Sequence, residues 1–230
     1  AFARFIGDCC TFISPSRPGY LRTPLTSGPS PAAQADLFVA LLDTLQIEKA
    51  SVLGFSGGGP SAIQFALRHS ERCHSLIMIG ALVRRSNKTA RLQTMPFWQR
   101  LYTRIYDTLL VSDPFLYLAG PVARLLPHGT IVEQMLYSGT HYHLRRIGYE
   151  NDLVQFAAIA EKDYPFEAIS VPTLVVHGTR DEDVPFEDAR LLAAKAQHST
   201  LLALPGSHES FYMQAKIVMP AVRDFITGPA

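Results

Sequence analysis

The chain has 230 residues, 47% of them hydrophobic and 18% charged, which excludes a disordered chain and suits one sizeable core. Lys and Arg number 21 against 20 Asp and Glu, so a net charge of +1 gives no electrostatic basis for nucleic-acid binding. The cysteines, Cys9, Cys10 and Cys73, are too few and odd in number for a disulfide framework. The adjacent pair reads as strand residues and not as a redox motif. No apolar run is long enough to span a bilayer. Ala1 to Gly7 lacks the basic, apolar and small-residue order of a signal peptide, with prior removal of such a peptide as the alternative; a cytoplasmic protein is expected.

In chain order, Cys10-Thr11-Phe12-Ile13-Ser14 reads as a short strand. It runs into Arg17-Pro18-Gly19-Tyr20, which is loop chemistry, and Ser27 to Pro31 is loop as well. Ala33 to Leu45 carries Leu37, Leu41, Leu42 and Leu45 at helical spacing. Ala50 to Gly54 is the next strand, and Pro60 opens a helix that runs to about His69. Ser75 to Ile79 is a further strand. From Val83 to about Ser170 no clear strand pattern occurs, and we expect a mostly helical insertion rich in Arg, Tyr, Phe and Leu. Alternation then returns with a strand at Thr173 to His177, a helix at Phe186 to Ala196, a strand at Thr200 to Leu204 and a closing helix at Met213 to Ile226. Strand–helix alternation of this kind predicts an α/β fold with a mostly parallel sheet flanked by helices. The core comprises 1–82 and 171–230, with a helical cap at 83–170.

The chemistry concentrates at three strand ends. Gly54-Phe55-Ser56-Gly57-Gly58 is a G-x-S-x-G between a strand and a helix. A serine on such a turn is pushed out at the carboxyl edge of the sheet, and Gly54 and Gly58 carry no Cβ to clash with neighbouring elements. The N–H of Gly57 can point at a developing oxyanion. A phosphate loop is the alternative for a Gly-rich turn, but the Gly-Lys-Ser/Thr ending is missing. Serine is a weak nucleophile and needs a base oriented by a carboxylate. Asp181 follows one strand and His208 the last, both at the edge where open α/β sheets collect their sites. Asp183 is the alternative acid. His141 and His143 form an H-x-H, but no third ligand is suitably spaced, so no metal and no cofactor is expected. His177 reads as structural. Phe55, Trp98 and Tyr102 are candidate substrate-lining residues among aromatics that otherwise build the cap's own core.

These motifs resemble the α/β-hydrolase superfamily, in the branch with a helical cap between two strands. Arg17 to Tyr20 resembles its Arg-x-Gly loop. Ala33 to Ser56 resembles its helix–strand–elbow unit. His177-Gly178-Thr179-Arg180-Asp181-Glu182-Asp183-Val184-Pro185 resembles the loop holding the triad acid, and Gly206-Ser207-His208 resembles the turn that presents the base. The resemblance implies a Ser56–His208–Asp181 triad and a serine hydrolase cleaving a small to medium, largely apolar ester. Related enzymes that cleave carbon–carbon bonds use the same triad, and a non-catalytic relative on this scaffold is the rival class. The expected partner is a small molecule, with neither nucleic acid nor membrane.

The family's early strands are missing before the Arg-x-Gly loop, including the His-Gly turn that gives a second oxyanion N–H. Loss of one such donor typically costs on the order of 10²–10³ in rate. We therefore expect a truncated or processed chain. The alternatives are a completing N-terminal segment or partner subunit, with a homo-oligomer as the expected assembly, and a shortened relative that no longer catalyses. The missing strands would leave a sheet edge exposed.

Overall fold

Apolar, β-branched runs form the strands β1 (Ala50–Phe55), β2 (Cys73–Ile79), β3 (Thr173–Gly178) and β4 (Ser199–Leu204). In the computed structural model, which describes residues 10–86, 93–110, 112–125 and 129–228, they make one parallel sheet in the order β1-β2-β3-β4. The helices that pack on it are α1 (Pro31–Thr44), α2 (Gly59–Arg68), α7 (Phe186–Lys195), α8 (Ser210–Met213) and α9 (Ala215–Thr227). Between β2 and β3 lie α3 (Phe97–Leu110), α4 (Asp113–Ala123), α5 (Gly129–Ser138) and α6 (Arg146–Ala158), with no strand among the described residues there.

Side-chain alternation divides the core between the two sheet faces. Leu76, Met78 and Val175 pack with Ile63 and Phe65 of α2, Leu192 of α7 and Ala35 of α1. Ile77, Ile79, Leu174 and Val176 pack on the other face with Phe211, Val218, Met219 and Val222. Covering both faces buries β2 and β3 almost completely, and each large aliphatic residue so buried contributes about 1.5–3 kcal/mol.

Three expectations are corrected. Residues 10–14 form no strand: no described segment pairs with them, and Phe12 and Ile13 are exposed. A strand is held by its ladder, and β1 is the outer strand of the described sheet. The first helix starts at Pro31, because the Ser30 side chain accepts the Ala33 N–H and the proline fits the first turn. The closing helix begins earlier, at Ser210, and is broken at Gln214, whose side chain donates to the Pro205 carbonyl.

Candidate active site

The turn after β1 places Ser56 at the carboxyl edge of the sheet. Ser56 has φ +48, a left-handed conformation that costs a non-glycine residue on the order of 1–3 kcal/mol. Packing around it holds the strain. A Cβ on Gly54 would lie 2.8 Å from the Ala62 Cβ and 3.2 Å from the Met78 sulfur. A Cβ on Gly59 would run into the Leu82 carbonyl and lie 3.1 Å from the Ala81 Cβ, whereas one on Gly58 would meet nothing within 4 Å. The second crowded glycine is therefore Gly59 and not Gly58. Leu82 donates its N–H to the Ser56 carbonyl, tying the turn to the segment after β2.

The other two strand ends converge on this serine. His208 Nε2 lies 3.1 Å from Ser56 Oγ, and His208 Nδ1 lies 2.7 Å from Asp181 Oδ2. A carboxylate only accepts, so Nδ1 carries the proton and Nε2 presents its lone pair to the serine hydroxyl. Asp181 Oδ1 accepts the N–H groups of Asp183 and Val184 at 2.9 and 2.8 Å. His177 is buried, donates to the Val184 carbonyl, and lies 3.2 Å from Asp181 Oδ2. Burial opposes charge on Asp181, but the close His177 ring, the His208 ring and the Val184 N–H together outweigh it, and its carboxyl is held well below the ordinary range. Burial likewise opposes charge on His208. The contact with Asp181, followed by the nearby charges of Asp183 and Glu209, wins and raises its pKa.

Asp183 does not take the position of the orienting acid. It is exposed, and its carboxylate, like that of Asp181, comes within 4.8 Å of a ring nitrogen of His208. Among the described residues these three make the one cluster that could hold a metal ion, yet both Asp181 oxygens already accept hydrogen bonds from protein groups. His141 and His143 lie with ring centroids 6.3 Å apart and gather no third ligand among the described residues.

A cavity of about 1530 Å³ opens over Ser56 and Gly57. Leu82, Val83, Tyr149, Leu153, Phe156 and Ile159 give it apolar walls, while Arg84, Arg85, Lys162 and Glu182 bring charge into the lining. Tyr102 lines it from α3, together with Gln99 and Thr103. Trp98 does not: the cavity-facing side of α3 runs through Gln99, Tyr102 and Thr103, leaving Trp98 exposed beside a shallow hollow. Phe55 also stays out of the lining. As the residue before the turn it points into the core, stacked on His208 with centroids 5.8 Å apart and tilted on Phe211 at 4.8 Å. It backs the imidazole and does not face the cavity.

Gly80 was not singled out by the sequence patterns. It has φ +50, and a Cβ there would lie 3.2 Å from His208 Cε1. Its position just past β2, at the carboxyl edge, was the available signal.

Residues 8–215 match a family model described as alpha/beta hydrolase fold. The chain is 30% identical over 188 residues to the hydrolase YcgS of Bacillus subtilis, covering 74% of this chain and 65% of that protein. It is 26% identical over 162 residues to a 2-hydroxy-6-oxononadienedioate/2-hydroxy-6-oxononatrienedioate hydrolase of Paraburkholderia phymatum, covering 66% of this chain and 53% of that one. The matched stretches thus span between half and two thirds of these relatives' lengths. Among solved structures, an alpha/beta hydrolase fold protein from Nakamurella multipartita superposes with a TM-score of 0.70 at 28% identity, over 92% of this chain and 80% of its own.

Proposed function

Since the chain belongs to the α/β-hydrolase fold family, we propose that it is a serine hydrolase that cleaves small to medium, largely apolar carboxylic esters. The observation that carries this reading is the unbroken relay from Asp181 through His208 to Ser56 Oγ, at 2.7 and 3.1 Å, at the floor of a cavity. His208 Nε2 accepts the Ser56 proton as Oγ attacks the carbonyl carbon. The tetrahedral oxyanion lies against the Gly57 N–H. His208 returns the proton to the leaving alkoxide, and an acyl-serine remains. Water then attacks, His208 takes and returns a second proton, and the acid leaves. Asp181 keeps Nδ1 protonated throughout and stabilises the imidazolium. The apolar side chains in the cavity walls suit an apolar acyl group.

A second reading has a specific observation in its favour. Arg85 is exposed within the cavity lining, and Arg84 stands beside it, held by Asp188. Such a wall accepts a carboxylate, and the Paraburkholderia phymatum relative is named for a dioate. Carbon–carbon bond hydrolysis of an acid-bearing substrate would use the same triad.

The two separate on a panel of neutral p-nitrophenyl esters and acid-bearing β-diketones. Ester turnover that disappears in Ser56→Ala supports the first reading. Turnover confined to the diketone acids replaces it with the second, and turnover of neither, with a folded protein, contradicts both.

A further inference from the structure

Arg17 extends from its loop to α6 and makes a two-pronged bridge to Asp152, Nη1 to Oδ1 at 3.0 Å and Nη2 to Oδ2 at 2.5 Å. The Tyr20 hydroxyl donates to the same Oδ2, and the Tyr20 ring lies under the guanidinium at 4.9 Å. Burial and the Asp152 carboxylate raise the Tyr20 phenol, so it stays a donor. The backbones meet as well. Gly148 donates its N–H to the Gly19 carbonyl, and Leu21 donates to the Leu144 carbonyl. Gly19 has φ +84, and a Cβ there would lie 2.6 Å from the Gly148 Cα, so this contact requires glycine. Asp152 is buried, and the pair is too well shielded and too well oriented to be an ordinary surface bridge.

One turn further along α6, at i+4 from Asp152, stands Phe156. Its ring atoms come within 3.1 and 3.2 Å of the point where a Cβ on Gly57 would sit, and Arg17 Nη2 comes within 3.9 Å of that same point. Tyr149, Leu153 and Phe156, at i, i+4 and i+7, form the face that α6 turns to the cavity over Ser56. The Phe156 carbonyl accepts the Ser86 N–H, fixing this end of the helix to the segment after β2. The bridge therefore sets the rotation and height of the helix face that closes over the oxyanion turn.

We propose that Phe156 is the wall that limits the acyl group beside Ser56, and that Arg17, Asp152 and Tyr20 are positioning residues that hold it there; the proposal rests on the ester-hydrolase reading above. Asp152 is 135 positions from Arg17, so the loop before α1 sets the selectivity of a wall on α6.

The experiment is kcat/KM for p-nitrophenyl acetate, butyrate and octanoate, measured on the full chain and its variants. Phe156→Ala should raise the octanoate-to-acetate ratio at least about tenfold, the scale on which pocket walls discriminate methylenes. Asp152→Asn, and Arg17→Lys, which keeps the charge but loses the planar fork, should move the ratio the same way by about threefold or more. Asp152→Asn combined with Phe156→Ala should add nothing to Phe156→Ala alone, the signature of two residues acting as one unit. Phe156→Leu leaves the bridge untouched and gives an independent reading should a bridge variant fail to fold. Ratios that stay at the parental value while all esters slow equally would reduce the bridge to a structural one and overturn the proposal. A parent that turns over none of the esters would instead overturn the ester-hydrolase reading, and this proposal with it.

Discussion

His208 and Ser56 stand 152 positions apart in the chain, yet His208 Nε2 lies 3.1 Å from Ser56 Oγ. Two separate strand ends create that contact. β1 ends in the strained turn that lifts the serine, and β4 ends in the Gly206 turn, with φ +132, that brings the imidazole across.

Removing the hydroxyl removes the proposed nucleophile. Ser56→Ala should lower kcat for ester hydrolysis by at least about 10⁴-fold while the circular dichroism spectrum is unchanged. A loss of less than about tenfold would mean that hydrolysis occurs elsewhere on the chain.

The two acids near His208 are separable. Asp181→Asn leaves the shape but puts an amide against Nδ1, permitting the wrong tautomer, and should lower kcat by about 10⁴-fold. Asp183→Asn should change the plateau kcat by less than about tenfold, because Asp183 tunes the charge on His208 and does not orient it. Equal losses in the two variants would contradict this assignment.

A general base must be unprotonated, and the His208 pKa is raised above the ordinary 6.5, so kcat/KM should climb with pH along a limb centred above that value. Asp183→Asn removes one raising charge and should move the limb down. Stability follows the same linkage. The His208 contribution is complete below the unfolded value of 6.5 and fades as pH rises through the higher folded value. The Asp181 contribution is present above its ordinary 3.8 and is lost only as pH falls through its depressed folded value. Denaturant titrations and kcat/KM profiles across pH check both signs.

Gly59→Ala drives a methyl into the Leu82 carbonyl and should destabilise the fold by about 1–3 kcal/mol. Gly58 has φ −78 and open space around it, so Gly58→Ala should be neutral or stabilise by up to about 1 kcal/mol. Thermal unfolding of the two variants distinguishes them directly.

The sequence revealed the strands well, because Leu76 to Ile79 and Leu174 to Val176 are buried on both faces and read as continuous apolar runs. Ser56, Asp181 and His208 were readable because each follows a strand-forming apolar run at a turn rich in glycine or charge, although β1 and β4 are only partly buried. Side-chain direction was not. Phe55 and Trp98 were expected at the substrate, but local spacing does not say whether a strand-end ring points inward or which side of α3 turns to the cavity. The Arg17–Asp152 bridge was also hidden, since nothing local to either residue indicates a partner on a distant element. Residues 10–14 have strand composition, but composition does not supply a neighbour to pair with.

Activation of Ser56 by His208 is open to a direct test by covalent labelling. The parent and Ser56→Ala would be treated with a fluorophosphonate and the modified peptide located by mass spectrometry. A single phosphonylated site at Ser56 is expected, formed faster as pH rises along the His208 limb and absent in the variant. A folded parent that takes no label, or one labelled equally well after Ser56→Ala, would contradict it.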